Sequence, residues 1–251
     1  MKNIQYQNDN ISQYFNQNRI RWEQFYESEK KIIGRLPIDP EKEVLDIGCG
    51  CGGLGLALKE KFGLEKYTGV EINVQAAEAG RTMNPNAEIL CGDILDLTKT
   101  SLKEKEYDVV FSLSCVDWNV QYLDMLNAAW KHVKPGGYFI STFRLTNLDG
   151  CNDMKRSYQY INYEGVREGE KASYVVLNAS ELFQQLKKFE PKAVNAFGYW
   201  GAPSSTAITP YETLCFVAFS IQKRIVGDDS PITFDLTLPE EILKSIDVKT
   251  Q

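Results

Sequence analysis

No CxxC pair occurs among the six cysteines of this 251-residue sequence, and its single histidine is His132. Zinc sites of the usual cysteine spacing and multi-histidine metal centres are thereby excluded, and no metal is expected. Positive charge is short: 28 lysines and arginines face 34 aspartates and glutamates, a formal charge of −6. That balance lacks the basic footprint with which proteins grip nucleic-acid phosphates. No apolar run approaches the roughly 20 residues of a membrane span. The opening stretch MKNIQYQNDN has no apolar core of the kind a secretory signal carries. Internal repeats and low-complexity tracts are missing too. These absences leave a cytoplasmic protein with no membrane or nucleic-acid partner and a small-molecule substrate. Nothing in the sequence points to an oligomeric state.

What is present is enough apolar material, 43% of residues, for one sizeable core. Residues 1–36 read as an N-terminal helical cover. A helix over 10–33 would place Phe15, Arg19, Trp22 and Tyr26 on one face. An arginine inside an aromatic stripe needs a carboxylate, a phosphate or an aromatic face. Arg19 is therefore expected either to stack on Trp22 or to meet a ligand carboxylate. From residue 37 to 223 short apolar runs alternate with helical stretches. The strands fall at 43–47, 67–72, 88–91, 107–113 and 138–143, and the helices at 54–62, 74–83, 119–133 and 179–188. Two further strands, at 193–199 and 214–222, follow. This alternation predicts an α/β domain, a doubly wound and mostly parallel sheet with helices on both faces. The polar, tyrosine-rich stretch 145–179 breaks the rhythm and reads as an inserted cap. Residues 224–251 read as a peripheral tail with one strand and one short helix.

The chemistry concentrates in VLDIGCGCGGLG, residues 44–55. A strand runs into a glycine loop and then a helix, and Gly48, Gly50 and Gly53 satisfy GxGxxG. By itself that pattern also fits a nicotinamide-dependent dehydrogenase. Asp46, at the strand's carboxyl end, would repel a pyrophosphate and suits a cationic ligand. Glu71 ends the next strand, where a carboxylate can accept from both ribose hydroxyls. Asp93, after the third strand, is placed to accept from an adenine amino group, with Ile94 packing on the ring. Each acid alone also reads as a loop acid or a helix N-cap. Together they converge on the rim where open α/β sheets bind ligands.

These residues resemble a known family. VLDIGCGCGGLG, TGVEIN, CGDILDL, YDVVFSLSCVDW and VKPGGYFISTF, in that order, are similar to the successive motifs of class I S-adenosylmethionine-dependent methyltransferases. The resemblance implies a seven-stranded sheet with an antiparallel last strand, and S-adenosyl-L-methionine as methyl donor. It implies that Asp46, Gly48 and Gly50 hold the methionine part, Glu71 and Ile72 the ribose, and Asp93 and Ile94 the adenine. Ser112 and Ser114, at the end of the fourth strand, join the cofactor-binding set. A covering N-terminal helix would bring Arg19 to the methionine carboxylate, with Tyr14 or Trp22 in the same wall.

Methyl transfer from a sulfonium needs alignment and desolvation, and an oxygen or amine nucleophile also draws on a base. Asp117 is the base candidate, or else the N-cap of the next helix. Trp118 is a substrate wall. Arg144 either holds an anionic substrate or pairs with an acid of the cap. Tyr160, Tyr163, Tyr199 and Trp200 either line an acceptor pocket or pack. His132, at a helix C-terminus, is structural. The stretch SCVDW lacks the Asn-Pro-Pro-Tyr type of motif, which argues against adenine-base or protein-glutamine acceptors. The N-terminal run and the final strands resemble methyltransferases of bacterial surface-polysaccharide pathways. That resemblance implies O-methylation of a sugar-, nucleotide- or phosphate-linked acceptor. The alternatives are N- or C-methylation of an amine or quinone-like metabolite, a dehydrogenase, and a non-catalytic adenosyl-binding protein.

Overall fold

Consecutive residues of a strand point to opposite faces, and in this chain both faces are apolar. The computed structural model describes residues 17–162 and 165–246; Tyr14, Phe15 and Tyr163 lie outside them. In chain order the elements are α1 (Glu27–Ile33), β1 (Glu43–Ile47), α2 (Gly53–Phe62), β2 (Lys66–Glu71), α3 (Val74–Met83), β3 (Glu88–Cys91), α4 (Ile94–Leu97), β4 (Tyr107–Ser112), α5 (Tyr122–Lys131) and β5 (Val133–Thr146). They continue with β6 (Tyr158–Tyr160), β7 (Lys171–Ser173), β8 (Leu177–Asn178), α6 (Ala179–Lys187), β9 (Ala193–Gly201), β10 (Ala207–Ile208), β11 (Leu214–Gln222), β12 (Thr233–Thr237) and α7 (Glu240–Ser245).

The main sheet runs β12-β9-β11-β5-β4-β1-β2-β3. Strand β11 is antiparallel to both its neighbours, β5 and β9. In β1, Val44 packs into one core cluster and Leu45 into the other. In β4, Val109 and Phe111 go to the first and Val110 to the second. A sheet filled on both faces needs near-continuous apolar strands, which is why these runs read so clearly. No helix among the described residues is long and apolar enough to cross a membrane.

Four expectations are corrected. The N-terminal segment is not one helix. Arg19 has φ 61°, and Trp22–Gln24 form a 3-10 turn between extended residues Arg21 and Phe25. The Gln24 side chain accepts the backbone N–H groups of Ile20 and Arg21 at 2.8 and 3.0 Å, a local alternative to helix bonds. Strand β5 extends well beyond 138–143. Its start pairs Val133 with Tyr107, a bulge at Gly136 (φ 80°) resets the register, and its end pairs Leu145 with Leu177 of β8. The cap is not confined to 145–179: β6 and β7 make a small antiparallel sheet with β10, so residues 207–208 share it. The tail is not peripheral. Strand β12 adds to the sheet in parallel beside β9, making the main path eight strands long, and Leu238, Ile242 and Ile246 enter the core.

The strap formed by residues 17–26 docks on α2 at a residue with no side chain. A Cβ on Gly53 would lie 2.3 Å from the Arg19 carbonyl oxygen. Gly53→Ala is therefore expected to lift the strap at a cost of about 1–3 kcal/mol. Trypsin should then cut after Arg19 or Arg21 faster, with the sheet's circular dichroism unchanged. Wild-type cleavage kinetics would contradict this docking.

Candidate functional site

The carboxyl ends of β1, β2 and β4 open onto one crevice. After β1 the loop is pinned by two backbone N–H groups, of Gly48 and Cys49, that donate to the Val70 carbonyl at 2.8 and 3.0 Å. Gly48 has φ 75°, and a Cβ there would meet the Cys115 Sγ at 2.4 Å. Only glycine fits both constraints. Gly50 N–H donates to Glu71 Oε2 at 2.9 Å, and Asn73 N–H to Glu71 Oε1 at 2.8 Å. Burial pushes the Glu71 carboxyl up from its ordinary value, against the pull of these amides.

Asp46 is buried deeper still. It accepts the Tyr67 hydroxyl at 2.6 Å. Burial pushes its pKa from 3.8 to about 7, opposed by the Tyr67 bond and by Arg19 and reinforced by Glu71. Asp93 accepts Leu95 N–H at 2.9 Å and so caps α4, while also lining the crevice. The cap and binding-site readings of this residue are both open to it.

Two cavities meet here. The smaller, of about 110 Å³, lies between Glu71, Ile72, Asp93 and an apolar wall of Ile47, Val70, Ile94 and Met125. The larger, of about 730 Å³, reaches from Asp46 and Arg19 past Asp117 and Arg144 to the cap residues Gln159, Tyr160 and Ser204. Gly48, Gly50, Ser114 and Trp118 line both. Ser114 takes φ 50°, and its N–H donates to Thr142 Oγ1 at 2.6 Å. Ser112 is fully buried and lines neither cavity, which removes it from the expected cofactor set. The strand ends at Ser112, and the left-handed turn at Ser114 brings that residue to the crevice instead.

Arg19 lines the larger cavity but does not stack on Trp22. Its Nη2 lies 2.8 Å from Glu29 Oε1, and its guanidinium sits 4.6 Å from the Phe25 ring centre and 5.4 Å from that of Tyr26. Trp22 instead meets Phe62 edge-on at 5.4 Å and lines neither cavity. The fully buried Glu29 uses its other oxygen to accept Tyr26 N–H at 2.9 Å.

Asp117 lies in a 3-10 turn, Val116–Trp118, and caps no helix, since α5 starts at Tyr122. Its Oδ2 lies 2.9 Å from Arg144 Nε, and both side chains are buried. Arg144 also donates to the Asp117 carbonyl. Its guanidinium is 3.7 Å from the Tyr174 ring centre and 4.7 Å from that of Trp118. Arg144 is thus a cation already paired with the residue after β4, not one waiting for an anion or for an acid of the cap. Burial raises the Asp117 pKa despite Arg144, and Asp117 Oδ1 has no hydrogen-bond partner among the described residues. Tyr160 and Tyr199 line the larger cavity, whereas Trp200 donates to Glu241 at 3.2 Å on α7.

Sequence reasoning missed Tyr67, Glu29 and the 202–206 segment. Tyr67 heads an apolar strand, and nothing in its spacing marks the hydroxyl. An acid ten residues from Arg19 becomes a partner only once the helix is broken.

Residues 44–137 match the methyltransferase domain model. The chain is 25% identical over 166 residues to malonyl-[acyl-carrier protein] O-methyltransferase of Marinomonas sp., covering 61% of this chain and 60% of that protein. It is 28% identical over 103 residues to trans-aconitate 2-methyltransferase of Deinococcus radiodurans, covering 41% and 38%. It is 26% identical over 151 residues to phosphoethanolamine N-methyltransferase 3 of Arabidopsis thaliana, covering 57% and 29%. The chain therefore spans less than two thirds of the length of these curated relatives. Two solved structures share the fold. One is a chain of the Haloferax volcanii complex between the Trm112 methyltransferase activator and a methyltransferase, at TM-score 0.55 and 14% identity over 88% of this chain and 96% of that one. The other is Haemonchus contortus phosphoethanolamine N-methyltransferase 2 with S-adenosyl-L-methionine, at TM-score 0.53 and 15% identity over 79% and 53%.

Residues 44–137 are thus similar to a methyltransferase domain, and a solved methyltransferase that shares the fold holds S-adenosyl-L-methionine. The crevice fits it. Buried carboxylates face a positively charged ligand, a glycine floor allows close approach, and the small apolar slot ends at Asp93.

The Asp46 shift also has a stability consequence. Between its ordinary 3.8 and about 7 the folded chain keeps a proton that the unfolded chain has lost. The stabilisation is therefore fully present below 3.8 and is lost as pH rises through about 7. Asp46→Asn is expected to be more stable than wild type at pH ~8, by up to about 4 kcal/mol. The gain should shrink toward pH ~4 in urea melts. An equal difference at both pH values would contradict the buried-acid account.

Proposed function

We propose that this chain transfers a methyl group from S-adenosylmethionine to an oxygen of a small, polar molecule. The observation that carries the reading is the meeting of the two cavities at Gly48, Gly50, Ser114 and Trp118. A donor with its adenosine in the smaller and its methionine end beside Asp46 and Arg19 would present its methyl group at that junction to an acceptor further along the larger. When bound, the donor supplies a sulfonium-activated methyl group, released as the carbon–sulfur bond breaks with its electron pair left on sulfur.

The chain's own residues take these roles. Asp46 with Gly48 and Gly50 holds the methionine end, Glu71 and Ile72 the ribose, and Asp93 and Ile94 the adenine. Arg19 faces the methionine carboxylate, held in place by Glu29. Ser114 sits at the junction. Asp117, with Oδ2 against Arg144 and Oδ1 without a partner, takes the proton of the acceptor hydroxyl at Oδ1. Trp118 walls the acceptor. All six cysteines are free thiols, which supports a reducing, cytoplasmic setting. A sugar-, nucleotide- or phosphate-linked acceptor in surface-polysaccharide synthesis is supported by the polar lining of the larger cavity. None of the relatives named above names a sugar or polysaccharide acceptor.

Two variants test these roles. Glu29→Gln should weaken S-adenosylhomocysteine binding about tenfold while leaving 5′-methylthioadenosine, which has no amino-acid part, unchanged in calorimetry. Equal losses on both ligands would remove Arg19 from the carboxylate. Asp117→Asn should lower kcat at least about 100-fold with S-adenosylhomocysteine affinity near wild type. Retained kcat would rule Asp117 out as the base.

A further inference from the structure

The cavity beyond Ser114 is large, and its charges are already spoken for. Among the described residues its only cations are Arg19 and Arg144. Arg144 is paired with Asp117, their side chains 4% and 6% exposed. Arg19, braced by the buried Glu29, lies at the donor end, where the proposed function gives it to the methionine carboxylate. The one remaining acid, Asp46, lies beside the glycine loop at the donor end. Within the lining, a carboxylate or phosphate entering the acceptor end would meet only the paired Arg144, since Arg167, on the Ser205 carbonyl, and Lys171, against the Tyr160 ring, lie outside it; uncompensated desolvation costs several kcal/mol per buried ion.

The rest of the polar lining is neutral. Gln159 Nε2 donates to Ser204 Oγ at 3.1 Å, and Ser204 Oγ lies 3.2 Å from Thr206 Oγ1. Hydroxyls both donate and accept, so this chain of groups can exchange an internal bond for one to an entering hydroxyl. A hydrocarbon acceptor would bury the same groups with nothing offered in return.

Of the rings that line the cavity among the described residues, Tyr26 and Tyr199 are the exposed ones. Inside, Arg144 lies against the rings of Trp118 and Tyr174. At the mouth, Tyr26 and Tyr199 are 59% and 40% exposed, and Tyr199 leans on Phe216 with ring centres 6.2 Å apart. The negative face of such a ring attracts the weakly positive C–H face of a saturated ring.

We infer that the acceptor's reacting part is a neutral, polyhydroxylated ring of the pyranoside type. Its hydroxyls lie on the Gln159–Ser204–Thr206 wall and its C–H face on the mouth tyrosines. Any phosphate or nucleotide attached to it stays outside the cavity. This rests on the methyltransferase reading above and narrows it.

The test uses wild-type protein with methyl-labelled S-adenosylmethionine, after calorimetry has shown that it binds S-adenosylhomocysteine. Absence of that binding defeats the methyltransferase reading itself, not this one. The panel comprises the methyl pyranosides of the common hexoses and 6-deoxyhexoses, the matching sugar 1-phosphates, trans-aconitate and catechol. Label should appear on at least one pyranoside, with kcat/KM at least about tenfold above trans-aconitate and catechol and no lower than on its matching 1-phosphate. Label only on an anion or on catechol overturns the inference, as does no label on any pyranoside. A second measurement needs no acceptor. Inorganic phosphate should leave the wild-type melting temperature unchanged. It should raise that of Asp117→Asn, where Arg144 has lost its counter-charge. A rise in wild type of its own overturns the inference, and that arm stands even where the variant does not fold.

Discussion

The structure turns on negative charge held out of water at one end of a sheet. Asp46, Glu71 and Glu29 are all buried at the crevice, with Arg19 the cation among them. A buried carboxylate is costly unless compensated. Glu29 has Arg19 and an amide, and Glu71 has backbone amides. Asp46 relies on one phenol and on the Arg19 guanidinium, and burial pushes its pKa up to about 7. The electrostatics that disfavour its charge in the folded chain are those a cationic ligand would relieve. A site strained in this way gives up stability for binding.

The strap completes the arrangement. Arg19 reaches Glu29 because its own backbone is left-handed and its carbonyl rests on Gly53. One glycine of the loop therefore does two things: it starts α2 and gives the strap its seat. A regular helix over the same residues could not do this. Side chains three or four apart would share its face, and Glu29, ten residues from Arg19, would fall elsewhere.

Much of the sheet was legible in the sequence, for a physical reason. Strands filled on both faces are apolar along their whole length, so β1 and β11 match their expected bounds, as do the short edge strand β3 and α3 with its Asn73 cap. What escaped was set by tertiary pairing. The length of β5 comes from β8 and β11 on its flanks, and the tail becomes a strand only because β9 offers an edge. In the site, the residues carried by strand ends and tight turns, Asp46, Gly48, Glu71 and Asp93, fall where the motif spacing puts them. Ser112 does not, because one turn beyond the strand exchanges it for Ser114. For Arg144 the sequence offers an anionic substrate or an acid of the cap as partner, because nothing local marks Asp117 on the neighbouring strand's loop.

That Arg144–Asp117 pair is hard to explain as a stabilising device, since apolar residues of similar volume often do as well or better. Its position gives a better account. The turn that carries Asp117 also receives the cap: Val175 N–H donates to the Asp117 carbonyl at 3.0 Å, and Ser173 Oγ to the Trp118 carbonyl at 2.6 Å. Arg144, reaching over from β5, bonds the same turn and lies against Tyr174 of the cap. One buried cation thus joins the sheet, the turn after β4 and the cap, and fixes the far wall of the larger cavity relative to Ser114. Neutralising that cation from within lets it serve as a brace without drawing anions into the cavity it shapes.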